Sequence, residues 1–148
     1  MILTPMETAL LEAQWAKEKD EVPVGAVITR GKTIIARAGN YIKAAYDPTG
    51  HAEMRVIRRA CEALQSERLP DCDLYVTLEP CAMCAAAISF ARIRRLYYAA
   101  SDPKGGAIEY GSRFYQQSTC HHKPEIYAGF KEKEAAQLLK DFFAQKRY

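Results

Sequence analysis

No apolar run in this chain is long enough to cross a bilayer. The most apolar one, Cys81 to Ala91, is about half of the roughly 20 residues that a membrane helix needs, so a transmembrane helix is excluded. The first residues, M-I-L-T-P-M-E-T-A-L-L-E, contain no lysine or arginine where a secretory leader carries its basic start. A cytoplasmic location is therefore expected. Cysteine is sparse, and its five copies form no regular framework; an odd set of this kind suits thiols or metal ligands in a reducing compartment better than disulfides. Internal repeats and low-complexity tracts are absent. The 148 residues leave no room for two full domains, and 49% hydrophobic against 26% charged residues excludes a disordered chain. One domain over residues 1 to 148 with one site is expected. The net charge of +3 is at most a weak pointer to an anionic partner.

Several secondary elements are legible. Thr4-Pro5-Met6-Glu7 has the form of a capping box with proline at the first helical position, which predicts a helix to about Lys19. Val22 to Thr29 and Thr33 to Ala38 are β-branched runs joined by Arg30-Gly31-Lys32, which predicts an antiparallel hairpin. Gly39 to Gly50 reads as a loop. Ala52, Val56, Ala60 and Leu64 then recur at helical spacing, with Arg55, Arg58 and Arg59 largely elsewhere on the wheel, so a second helix should begin near His51. Leu74 to Leu78, Cys81 to Ala91 and Ile93 to Ala99 predict strand, helix and strand, hence a right-handed crossover and a parallel pair. Ser101 to Lys123 reads as a functional loop with short helical turns. A short strand at Ile126 to Ala128 and a C-terminal helix with an apolar stripe of Ala135, Leu138, Leu139, Phe142 and Phe143 complete the chain.

The stretch that carries chemistry is E-P-C-A-M-C at 79 to 84, thirty residues after G-H-A-E at 50 to 53. Cys81 and Cys84 are three apart, so at a helix start they share one face and can grip one ion. Pro80 sets that helix end after a strand, and backbone dipoles there favour thiolate over thiol. His51 and Glu53, two apart, would face opposite ways inside a helix; at a helix start after Pro48-Thr49-Gly50, both can project toward a common point. One histidine and two thiolates leave a fourth tetrahedral position open, which is the mark of catalytic zinc, whereas structural zinc usually takes four protein ligands. Glu53, not a ligand, is then placed to accept a proton from water and give it to a leaving nitrogen. The combination H-x-E with P-C-x-x-C is the established signature of zinc nucleobase deaminases. A helix-capping His51, a solvated Glu53 and two merely buried cysteines form the plainer alternative.

Around this site the motifs D-E-V-P-V-G-A-V (20 to 27), G-N (39 to 40), D-P-T-G-H-A-E (47 to 53), L-Y-V-T-L-E-P-C-A-M-C (74 to 84), S-D-P-K-G-G-A (101 to 107) and L-L-K-D-F-F (138 to 143) occur in order. Together they resemble the bacterial tRNA-specific adenosine deaminases over nearly the whole chain. The resemblance implies an α/β fold of three layers, α/β/α and cytidine-deaminase-like, with a mixed, roughly five-stranded sheet. It implies one Zn2+ per subunit on His51, Cys81 and Cys84, with Glu53 as the proton shuttle. The implied reaction is hydrolytic deamination of the wobble adenosine in the anticodon stem-loop of a tRNA, giving inosine, by a homodimer that binds RNA with both subunits.

The same resemblance assigns substrate contacts to Asn40, Val24, Asp102, Lys104 and His122. Read from the residues alone, Asn40 is a turn residue, Val24 a core strand residue, and Asp102 and Lys104 a solvated turn. Two departures from the family pattern stand out: Gly50 where alanine is usual, a small-for-small change expected to be harmless, and His121 where asparagine is usual, which leaves the contact around His122 open. Arg92, Arg94, Arg95, Lys146 and Arg147 are either a basic track for RNA or an ordinary solvated surface. Phe142 and Phe143 read as core rather than base-stacking platforms, Cys61 and Cys72 as small buried residues. Cys120, His121 and His122 are consecutive, splay apart, and make a poor second metal site. The competing activities are deamination of a free base or nucleotide of the guanine or cytosine type, and a non-catalytic RNA-binding module stabilised by zinc. A purely structural ion has no use for Glu53.

Overall fold

In the computed structural model, which describes residues 2–146, the first helix starts where the capping box predicts. The Glu7 amide donates to Thr4 Oγ1 at 3.2 Å and the Thr4 amide to Glu7 Oε1 at 2.9 Å, opening α1 (Pro5–Glu18). The two backbone donors that helix geometry leaves unpaired are thereby satisfied.

The following strand begins later than its β-branched composition predicts. Pro23 has no amide to give to a ladder, and the Val24 amide turns back to the Val22 carbonyl at 2.8 Å, so β1 is Gly25–Arg30. The hairpin itself forms as expected: β2 (Thr33–Gly39) pairs antiparallel with β1, with a register shift between Ile28 and Thr29. A Cβ on Gly25 would run into the Ala9 carbonyl and the Ala13 amide, so glycine lets α1 lie directly on the hairpin.

The second half alternates strand and helix: α2 (Ala52–Leu64), β3 (Cys72–Leu78), α3 (Ala82–Phe90), β4 (Arg95–Ala100), β5 (Glu125–Ala128) and α4 (Glu132–Gln145). Two boundaries shift from expectation. β3 starts at Cys72 rather than Leu74, and β4 at Arg95 rather than Ile93. Asp73 accounts for both, because its carboxylate accepts from Arg94 Nε and Nη2 at 3.1 and 3.2 Å and ties the entry of β4 to the start of β3.

The sheet order is β2-β1-β3-β4-β5, antiparallel on one side of β3 and parallel on the other, which is the mixed five-stranded sheet expected. α1 and α4 cover one face, where Met6, Ala9, Leu10, Val27 and Ala135 are buried together; α2 and α3 cover the other, on a core that includes Val56, Leu74, Ile88 and Leu96. The parallel β3-α3-β4 unit matters most for the site. It leaves the carboxyl end of β3 facing the starts of α2 and α3, the usual place for a site in an open α/β sheet.

The long connection from Ser101 to Lys123 contains one 3-10 turn, Phe114–Gln116, in line with the expected short helical turns. Its order comes from Glu79 at the end of β3. One carboxylate oxygen accepts from the Asp102 amide at 2.9 Å, the other from the amides of Ile108, Glu109 and Tyr110 at 3.0, 3.0 and 3.2 Å. The loop crosses so close that a Cβ on Gly106 would collide with this carboxylate. Glu79 is buried, so removing it would strand several amides from water. Glu79→Ala is expected to cost about 3 kcal/mol, the range for buried donors left without an acceptor, read by urea unfolding. A cost below about 1 kcal/mol would show that the loop holds itself.

Candidate metal centre

The helix starts that sequence reasoning placed at the site are one residue off, and the shift has chemical meaning. His51 and Cys81 are not the first helical residues but the N-caps of α2 and α3, with extended backbones at φ −66°, ψ 149° and φ −73°, ψ 176°. Neither side chain caps its own helix. Serine, threonine, asparagine or aspartate at such a position would fold back onto the backbone amides; an imidazole and a thiol here turn toward one another instead. The Ala52 amide, left over by His51, donates to Asn40 Oδ1 at 2.8 Å, so Asn40 supplies the missing cap from the neighbouring loop.

His51 Nδ1 lies 3.6 Å from Cys81 Sγ and 3.6 Å from Cys84 Sγ. Tetrahedral zinc with ordinary Zn–S and Zn–N bond lengths would separate a thiolate sulfur from an imidazole nitrogen by about 3.6 Å. One atom from each of the three residues lies within 4.8 Å of the others, and this is the one convergent His/Cys/Asp/Glu group of three or more among the described residues. Two sulfurs and one nitrogen form a donor set suited to zinc. The three residues thus fit the ion that the resemblance implies.

Charge in the centre is divided unequally between the sulfurs. The Cys84 thiol donates to Cys81 and holds the Cys81 thiolate down to about 4, against burial and with help from His51. The same bond, burial and the nearby Glu53 carboxylate push Cys84 up. Cys81 in turn holds His51 above the ordinary imidazole range. The group therefore carries bound protons that a metal must displace. Glu53 sits in the first turn of α2, 4% exposed; burial, reinforced by the Cys81 thiolate, pushes its carboxyl up to about 7. Its backbone position beside the extended His51 brings the two side chains to one region despite their spacing.

The other predicted contacts sort themselves by surroundings. Asn40 is buried, and its amide donates to the Val24 carbonyl at 3.0 Å. Val24 is a core residue, as its composition suggests. Asp102 Oδ1 accepts from the Lys104 and Gly105 amides at 3.2 and 3.0 Å, the turn expected, and Lys104 is exposed. His122 Nε2 lies 2.7 Å from the Ile93 carbonyl, and Ser89 Oγ donates to the His122 carbonyl at 2.8 Å, so its position is set by α3 and the entry of β4. His121 is exposed. Cys120 donates to the His122 carbonyl and does not converge with the histidines on a common point.

The basic track is largely internal to the surface ion pairs. Arg94 pairs with Asp73, Arg95 with Asp73 and Glu125, and Lys146 with Asp20; Arg147 lies outside the described residues. Phe142 is core, but Phe143 is 47% exposed, because adjacent helical residues point about 100° apart and only one of them faces the sheet. Cys72 is buried and Cys61 half-buried. Gly50 needs correction: a Cβ there would run into the Tyr41 carbonyl, so alanine requires the loop to move. A cavity of about 520 Å3 between α1 and α4, lined by Leu10, Leu138 and Asp141 among others, contains none of the predicted site residues.

Sequence reasoning missed two residues that build the walls. Glu79 carries the Asp102 loop, and Glu21 accepts from the amides of Ile42, Lys43 and Ala44 at 3.0, 3.2 and 3.1 Å, which shapes the loop between Asn40 and His51. The available signal was their place inside the quoted motifs, D-E-V-P and L-E-P-C, directly beside prolines that break the strand ladder.

The MafB19-like deaminase family matches residues 3–147. A protein of Agrobacterium fabrum (strain C58), called tRNA-specific adenosine deaminase, is 63% identical over 96% of this chain and 93% of its own length. A solved structure from studies of A-to-I editing by tRNA deaminases at the wobble position of transfer RNA superposes with a TM-score of 0.90 at 63% identity, covering 91% of this chain and 98% of that one. A guanine deaminase from Bacillus subtilis is more distant, with a TM-score of 0.65 and 31% identity over 97% of this chain and 92% of that chain. The paired helix starts, the three convergent donors and the buried Glu53 are thus found in a chain that belongs to the MafB19-like deaminases, and within them to the bacterial tRNA-specific adenosine deaminases.

Proposed function

We propose that this chain, as a single deaminase domain over residues 1 to 148, converts the wobble adenosine of a tRNA anticodon to inosine by hydrolysis. The observation that carries the chemistry is the buried Glu53 carboxyl beside three convergent donors that leave a fourth place free. His51, Cys81 and Cys84 would hold one zinc ion. Bound zinc supplies a water activated for attack at neutral pH.

The chain's own residues account for the proton traffic. Water adds to C6 of the adenine ring and ammonia leaves, so one proton must reach the ring nitrogen and another the departing amine. Glu53, with its carboxyl raised to about 7 by burial, changes protonation state readily near neutral pH and can serve both transfers. Asn40 spends its side-chain oxygen on the Ala52 amide, which fixes the side chain and leaves its NH2 group to donate to the substrate. Val24 would support the pocket wall from the core, and Lys104, exposed on the turn that Asp102 shapes, is suited to phosphate. His122, held against the Ile93 carbonyl, would contact the RNA from the far rim.

The choice of tRNA over a free base rests on the relatives: 63% identity to a protein called tRNA-specific adenosine deaminase against 31% to a guanine deaminase. A homodimer belongs to the same proposal; Phe90, 75% exposed on α3, is an apolar side chain that a second copy would shield. No helix among the described residues is long and apolar enough to cross a membrane, and a tRNA substrate places the work in the cytoplasm.

Incubation of the protein with tRNA bearing a wobble adenosine, beside free adenosine, cytidine and guanine, is expected to yield inosine only in the tRNA. Turnover of a free base with the tRNA unchanged would overturn the substrate choice. Glu53→Ala is expected to lower turnover by about 10²-fold or more while about one zinc per chain is retained, since a non-ligand is removed. Loss of zinc from that variant would place Glu53 in the ligand set instead. Cys84→Ala should lose zinc and melt at a lower temperature, because metal binding contributes folding free energy; a zinc-replete, equally stable variant would remove Cys84 from the site.

A further inference from the structure

Beside Asn40 the surface opens into a cleft of about 220 Å3, lined among others by Glu12, Trp15, Lys19, Tyr41, Arg55 and Arg59. This is below the roughly 300 Å3 at which drug-sized pockets begin, a space for a phosphate group rather than a whole nucleotide. Three cations border it. Lys19 Nζ is 5.7 Å and the Arg55 guanidinium 5.1 Å from the Tyr41 ring centroid, which brings two positive groups to one aromatic ring. Arg55 and Arg59 stand one turn apart on α2, where like charges repel.

Each arginine spends one nitrogen on β2: Arg55 Nη1 donates to the Gly39 carbonyl, and Arg59 Nη1 to the Arg37 carbonyl at 2.6 Å. A guanidinium carries five N–H groups, so these bonds orient the side chains without exhausting them. The one carboxylate lining the cleft, Glu12, is already paired with Arg37 Nε at 3.2 Å. That pair cancels itself and leaves Lys19, Arg55 and Arg59 as surplus positive charge. Burial and Arg59 both hold Arg55 below the ordinary guanidinium range, the effect expected of crowded cations with no anion between them.

The cleft also has a defined relation to the metal centre. Asn40 lines it, and the Asn40 side chain caps Ala52 next to His51. We propose that this cleft binds a backbone phosphate of the RNA strand adjoining the reacting nucleotide, with Lys19, Arg55 and Arg59 as its cationic lining. The proposal rests on the tRNA reading given above and adds the place where the strand leaves the site. Arg55 and Arg59 also clamp α2 to β2, so the test needs a readout that a structural clamp would not move.

That readout is the salt dependence of binding. Fluorescence anisotropy with an anticodon stem-loop RNA carrying a wobble adenosine would be run from about 50 to 200 mM salt, a range over which phosphate contacts change affinity steeply. Lys19→Gln/Arg59→Gln is expected to weaken binding about tenfold and to flatten the plot of log affinity against log salt by about 1.4, roughly 0.7 for each phosphate contact with a single strand. Arg30→Gln/Lys32→Gln removes the same charge at the hairpin tip, the opposite end of β1 and β2 from Asn40, and is expected to keep the wild-type slope. Lys19→Gln alone, at the C-terminal end of α1, guards against a folding effect and should flatten the slope by about 0.7. Equal slopes for the cleft variants and the wild type, or equal losses in the cleft and hairpin variants, overturn the proposal. A wild-type protein that does not bind the RNA overturns the tRNA reading itself, which is a separate outcome.

Discussion

Two helix N-termini face each other across this molecule, and the rest of the site follows from what must lie between them. Positive helix ends repel unless negative charge is placed at their meeting point. The chain meets that requirement with residues that decline the usual capping role: His51 and Cys81 stand at the N-caps but turn their side chains to one another, with Cys84 one turn further on. The Cys81 thiolate, stabilised by the Cys84 thiol, is negative before any ion arrives. A divalent cation binding there exchanges for protons, and the helix ends offset the extra negative charge of a second thiolate and an added oxygen ligand.

That arrangement needs scaffolding, because a side chain that serves as ligand cannot also cap. Asn40 takes over the capping of α2, and so the loop that carries it becomes part of the centre. Glu21 shapes the same loop through three amides, while Glu79 does the equivalent for the Asp102 turn on the other side. Burial would push the Glu21 carboxyl up, but the amides of Ile42, Ala44 and Lys43 outweigh it and keep the group below the usual carboxylate range. The contrast with Glu53 is instructive. Both are buried glutamates, yet one is rich in amide donors and stays charged, whereas the other sits beside a thiolate and rises to about 7. One environment makes a structural anchor, the other a group able to carry a proton.

Much of this was legible from residue types and spacing. The capping box at Thr4, the glycine hairpin, the parallel β3-α3-β4 unit and the ligand pattern depend on local chemistry, and local chemistry is written in neighbouring residues. The errors were those that neighbours cannot reveal. Gly50 looked exchangeable for alanine until the Tyr41 carbonyl came within reach of its missing Cβ. Arg94, Arg95 and Lys146 looked like a track for nucleic acid until Asp73, Glu125 and Asp20 were found beside them. Phe143 looked like core beside Phe142 because the width of a helix stripe depends on what it packs against.

By itself, the sequence determined the set of ligands, the candidate proton carrier and the alternation of strands and helices, since helix starts and metal-ligand spacing obey short-range rules. Tertiary structure alone decided that Asn40 caps the helix beside His51, that Glu53 is desolvated, that Glu79 and Glu21 hold the two flanking loops, and that Lys19, Arg55 and Arg59 gather beside Asn40. These are relations between residues 12 to 40 positions apart in the chain. They exist only once the sheet has ordered its strands, because burial, and with it the charge a side chain can carry, is a property of what surrounds it.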